Sequence, residues 1–139
     1  MRVENWESKL EKVITKLQSK NKFIFGKNDC VTFVISSIEA ITGKKVFKNK
    51  YKNIKQAKKI IKSLKSKDLL DIALKIAKEN NFKTIDIDKV QKGDVLYYLD
   101  TRDLDGTLGV CIGETVMFNW KEHITLIKKN QCKTAWRIE

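Results

Sequence analysis

The sequence predicts an α+β fold, with helices in the first part of the chain and an antiparallel sheet after them. Two observations carry this. Apolar residues recur at helical spacing as far as Ala77, then give way after Phe82 to short alternating segments. No linker, repeat or low-complexity stretch divides the 139 residues, so they form one predicted domain, residues 1–139.

Val3, Trp6, Leu10, Val13, Ile14 and Leu17 place an amphipathic helix first. Phe23-Ile24-Phe25 is a short apolar segment that Gly26 breaks. Asn28 and Asp29 are good N-cap residues, so the next helix is expected to begin about at Cys30. It runs through Val31, Phe33, Val34, Ile35, Ile38 and Ile41, and Thr42-Gly43 stops it. From Lys44 to Lys67 there are eleven lysines and no acidic residue. Ile54, Ala57, Ile60, Ile61 and Leu64 form one stripe there, as in a lysine-coated helix lying on the core. Another helix carries Leu69, Leu70, Ile72, Ala73, Ile76 and Ala77, between Asp68 and Asn80-Asn81. Residues 44–80 are thus a lysine-rich helical insertion. Strands are expected at Val95–Leu99, Leu108–Ile112, Thr115–Phe118, Ile124–Ile127 and Thr134–Ile138. Gly93-Asp94, Asp105-Gly106 and Gly113-Glu114 punctuate them, and the short turn at Gly113 implies a hairpin. Gly109 lies inside a strand, where glycine marks the close approach of another group.

Composition narrows the function. Apolar residues are 42 % and charged residues 33 %, enough for a compact core. No apolar run approaches the ~20 residues of a membrane helix. The first residues lack the apolar stretch of a secretory signal, so the Sec route is not expected and a cytoplasmic setting is the default expectation. The net charge is +12, from 29 basic residues of which only Arg2, Arg102 and Arg137 are arginine. That excess fits an anionic partner, but the abundance of lysine, isoleucine and asparagine without proline also fits A/T-rich coding. A nucleic-acid module is not favoured, because readers of phosphate and base edges rely on arginine. Among Cys30, Cys111 and Cys132 there is no Cys-x-x-Cys, and His123 is the only histidine, so no metal site is expected. No Gly-x-Gly-x-x-Gly or phosphate loop is present, and no cofactor is expected. Cys111 reads as core and Cys132 as incidental.

Four ordered segments resemble the NlpC-like cell-wall peptidases. Phe23-Ile24-Phe25-Gly26-Lys27-Asn28-Asp29-Cys30 is similar to the family's aromatic-x-Trp-Gly…Asp-Cys motif, with Phe25 in place of Trp. Lys92-Gly93-Asp94-Val95-Leu96 resembles its Pro-Gly-Asp-hydrophobic strand entry. Leu108-Gly109-Val110-Cys111-Ile112-Gly113 resembles its His-Val-Gly-Ile-Tyr-Leu-Gly strand. Ala135-Trp136-Arg137-Ile138 resembles the ending of a small phage-encoded branch of that clan, catalogued as a domain of unknown function. The resemblance implies a papain-like fold, in which the cysteine-bearing helix packs on the C-terminal sheet. Gly26, Asp29, Gly93, Asp94 and Gly109 support the motif.

The family hydrolyses amides with a cysteine at a helix start, a histidine base on a strand and a third polar residue on the next strand. Carried over, Cys30 takes the nucleophile position, Thr107 the position of the histidine, and Asn119 the third position. A helix N-terminus favours thiolate and should lower the Cys30 pKa. Threonine is no base at neutral pH, so the histidine-linked part of catalysis, ~10²-fold or more, is missing. His123 is a candidate substitute base, and Asp103 and Asp105 are weaker ones. Outside the motif, a cysteine opening an apolar helix face is a small buried hydrophobe.

The resemblance implies a degenerate cysteine peptidase serving as a structural or binding part of a phage virion, tail-associated, with other tail proteins and peptidoglycan as partners. Two alternatives stay open. One is an active cysteine peptidase or amidase cutting peptidoglycan peptides, and the other is a basic nucleic-acid-binding module.

Overall fold

The computed structural model describes residues 1–19, 22–99, 106–120 and 124–139. Four helices precede most of a six-stranded sheet, so the chain is α+β as expected. The helices are α1 (Trp6–Ser19), α2 (Cys30–Thr42), α3 (Ile54–Ser63) and α4 (Leu69–Glu79). Local capping explains their ends. Asp29, Asn53 and Asp68 each accept a hydrogen bond from the backbone N–H three residues on, at 2.8–2.9 Å. Gly43 closes α2 in the left-handed conformation with φ 77°, where its N–H donates to the Glu39 carbonyl.

The strands are β1 (Lys83–Ile85), β2 (Val95–Tyr98), β3 (Thr107–Cys111), β4 (Thr115–Asn119), β5 (Ile124–Lys128) and β6 (Thr134–Arg137). They lie in the order β1-β6-β2-β3-β4-β5, every neighbour antiparallel. β1 has no counterpart in the sequence reading. Its three residues are too few to show a period, and it forms by pairing Lys83–Ile85 with Ala135–Arg137 at the sheet edge. The expected hairpin at Gly113 is present as β3–β4.

The pleat divides the apolar residues between two clusters. Val95, Tyr97, Leu108, Val110, Met117 and Trp136 pack under α1, α2 and α4. Leu96, Cys111, Val116, Phe118, Ile127, Cys132 and Ala135 form a second cluster, with Val90. Tyr98, Phe118 and Trp120 lie ring against ring beside it, with centroids about 6 Å apart. Cys111 is therefore core, as its strand position suggests. Cys132 is also core rather than incidental, 7 % exposed, because the 3₁₀ turn Lys129–Gln131 folds it inward. Gly109 meets the expected close approach: a Cβ there would come within 2.7 Å of the Met117 carbonyl and the Phe118 ring.

Within the insertion, α3 and α4 form as expected, whereas residues 44–53 are irregular. Ala57 and Ile61 are buried, and all eleven lysines from Lys44 to Lys67 are exposed. Packing of α3 and α4 over α2 and the sheet encloses an apolar cavity of about 80 Å³, whose walls include Val34, Ala57, Ala73, Leu108 and Trp136. Among the described residues, no helix is long and apolar enough to cross a membrane.

The opposite end is held by Asp94, which is fully buried. Its Oδ1 accepts from Arg137 Nε at 2.9 Å and from an Arg2 guanidinium nitrogen at 3.5 Å, and its Oδ2 accepts from the Gln91 N–H at 2.8 Å. Arg2 also donates to the Ile138 carbonyl at 2.8 Å and lies over the Trp6 ring. One carboxylate thus joins the N-terminus, the β2 entry and β6. We predict that Asp94→Ala costs about 3–5 kcal/mol, because it leaves two guanidinium groups facing a buried void. Arg2→Gln should cost less than ~1 kcal/mol, since Arg137 keeps the carboxylate paired. Urea denaturation measures both, and equal midpoints for the two variants would contradict this account.

Candidate functional site

The turn before α2 is built around Gly26. Ile24 and Asn28 exchange backbone hydrogen bonds, and Gly26 between them adopts φ +82°. A Cβ on Gly26 would collide with the Tyr51 carbonyl oxygen, so both conformation and space demand glycine. The turn brings Asp29 to the N-cap, where its Oδ1 accepts from the Thr32 N–H at 2.8 Å. The Thr32 hydroxyl accepts from the Asp29 N–H in return, which completes a capping box. Asp29 Oδ2 takes two further donors, the Gly26 N–H at 2.8 Å and the Tyr51 hydroxyl at 2.5 Å.

Cys30 follows as the first residue of α2. Thr107 opens β3 and Asn119 ends β4, each 4 % exposed. Thr107 brings its side chain against the Cys30 sulfur, although its hydroxyl meets no partner at hydrogen-bonding geometry. Asn119 donates from Nδ2 to Asn28 Oδ1 at 3.0 Å, which ties β4 to the residue two before Cys30. Thr107 thus meets Cys30 directly, whereas Asn119 is tied to Asn28. His123, Asp103 and Asp105 lie outside the described residues. Gly93 and Asp94 belong to the sheet entry at the other end of β2, and Gly109 to the packing of β3 on β4; none of them touches Cys30.

Two residues near Cys30 were not singled out as site residues. Asn28 was read only as a capping candidate. Tyr51 carries no assignment from the sequence. An aromatic in a run of lysines was the one available signal, because it has no role on a solvated face.

The electrostatics reverse one expectation. Cys30 is half-buried, and desolvation of its sulfur pushes the thiol up to about 11, against the Thr107 contact and the backbone contacts of Leu108 and Val31, which pull it down. Asp29 adds to the upward shift. The helix start therefore does not produce a low-pKa thiol here. Burial and the adjacent Asp29 also raise the Tyr51 phenol far above its ordinary value, so it donates its proton to Asp29 at all physiological pH. Cys30, Thr107 and Asn119 line neither the apolar cavity nor a polar groove of about 350 Å³ between α1 and α2. Among the described residues, no cluster of His, Cys, Asp and Glu could hold a metal ion.

These shifts set the pH response. The folded state holds the Cys30 proton more tightly than the unfolded chain, whose thiol titrates near ~8.5. The stabilising contribution is thus complete below pH ~8.5 and is lost as pH rises towards 11. At neutral pH the thiolate is roughly three-hundredfold scarcer than for a free cysteine titrating near ~8.5. Iodoacetamide labelling of Cys30, followed by peptide mapping, should be slow at pH 7.5 and still rising tenfold per unit at pH 9.5. A labelling rate that levels off by pH 8 would contradict the buried-thiol account.

Among curated proteins, none matches the chain. The model of a family described as a domain of unknown function, DUF6950, matches residues 1–138. With that span matched, the chain belongs to the DUF6950 family.

Proposed function

We propose that this chain is an NlpC-like, papain-like protein whose peptidase site has lost its base, and that it serves as a tail-associated structural or binding component of a phage virion. The observation that carries the reading is the neighbour of Cys30. Where thiol-dependent amide hydrolysis needs an imidazole, the sulfur meets the Thr107 side chain, and its pKa stands at about 11.

Amide cleavage by a thiol has two proton demands. The thiol must lose its proton to attack, and the departing amine must gain one. An imidazole between them meets both. A threonine hydroxyl meets neither, because its own pKa is far above the physiological range. The third polar residue is also committed elsewhere, since the Asn119 amide donates to Asn28 rather than orienting a base. The arrangement keeps the architecture of a nucleophile site without its proton relay. Supporting the virion setting is the likeness of Ala135-Trp136-Arg137-Ile138 to the ending of the phage-encoded branch, and the protein's partners are then other tail proteins.

The experiment is a digest of purified peptidoglycan with the unmodified protein, Cys30→Ala and Thr107→His. The unmodified protein should release no peptide fragments. Thr107→His should gain measurable release, and this gain should vanish when Cys30→Ala is added. Release by the unmodified protein that Cys30→Ala abolishes would overturn the non-enzymatic reading, and loss of that release in His123→Ala would identify the working base.

A further inference from the structure

We propose that the lysine face of residues 44–67 docks on the surface of an anionic lipid bilayer. This does not rest on the NlpC-like reading, since the face belongs to the insertion and not to the Cys30 site.

Three observations support it. All eleven lysines of the segment are exposed, no acidic residue lies among them, and among the described residues none forms an ion pair. Elsewhere, Lys75, Lys89 and Lys92 each meet a carboxylate. Secondly, Lys55, Lys58, Lys59 and Lys62 fall at i, i+3, i+4 and i+7 of α3, so they share one side of the helix. Like charges at that spacing weaken a helix, and α3 holds because Ala57 and Ile61 are buried beneath it. The core thus presents the charges as a fixed array. Thirdly, the C-terminal end of the array is fixed in place, because Lys75 of α4 donates to the carbonyls of Leu64 at 3.2 Å and Lys65 at 2.8 Å.

This chemistry suits a lipid surface better than a nucleic acid. The segment has no arginine to fork onto phosphate or guanine, and no exposed aromatic on which bases could stack. Lysine point charges need only a dense negative layer, such as the headgroups of an anionic bilayer. The apolar side of α3 is held in the core, so the protein would sit on the bilayer rather than insert the helix.

The test is sedimentation with phosphatidylcholine vesicles and with vesicles containing 30 % phosphatidylglycerol, at low and high salt. The protein should bind only the anionic vesicles and be released by salt. At about fivefold per lysine, Lys55→Gln/Lys58→Gln/Lys59→Gln/Lys62→Gln should weaken binding at least a hundredfold, and the four corresponding arginine substitutions should preserve it. Far-UV circular dichroism checks that each variant is folded. No binding to anionic vesicles would overturn the proposal, as would unchanged binding by the folded glutamine variant. So would tighter binding, per phosphate, to a short DNA duplex than to the vesicles.

Discussion

The carboxylate of Asp29 holds together three pieces of chain that have no other reason to meet. It accepts from the Thr32 N–H in α2, from the Gly26 N–H in the preceding turn and from the Tyr51 hydroxyl in the insertion. Asp29 is 2 % exposed, so each of these donors matters. A buried carboxylate without them would cost several kcal/mol. Once they are in place, the start of α2 can sit nowhere but under Tyr51. The close fit of Gly26 to the Tyr51 backbone is a consequence of the same knot.

Asp94 does the corresponding work at the sheet entry. Asp29 organises a turn and a helix start through neutral donors, whereas Asp94 is neutralised by two arginines brought from the two chain ends. Between the two carboxylates lie α2 and the central strands. The site at Cys30 is therefore positioned by a rigid frame rather than by its own contacts. The hydrogen bonds around Cys30, Thr107 and Asn119 serve that frame.

The chemistry of Cys30 comes down to two opposed effects. A helix N-terminus stabilises a neighbouring anion by ~0.3–1 kcal/mol, and up to ~2 kcal/mol in favourable geometry. Moving the thiol from its ordinary value near 9 to about 11 corresponds to on the order of 3 kcal/mol against the anion. Burial wins, and Asp29 adds a like charge beside it. A helix start makes a reactive cysteine only when the site also supplies a cation or an imidazole, and among the described residues no such group stands beside the sulfur.

The sequence by itself determined everything that depends on neighbours a few residues apart. Asp29 and Asp68 marked helix starts because an N-cap bond spans three residues, and Gly43 marked a stop because its left-handed turn is local. The ordered motifs assigned Cys30 to a helix start and Thr107 and Asn119 to neighbouring strands. Only the tertiary structure decided what depends on distant pairs. The pairing of Lys83–Ile85 with β6 creates a strand with no pattern of its own. The burial of Cys132 comes from the second cluster under the sheet. Tyr51 reaches Asp29 across 22 positions, a contact that no local spacing announces. The pKa of Cys30 belongs with these, because desolvation is set by every segment that packs around the sulfur, and a sequence read along its length does not show which segments those are.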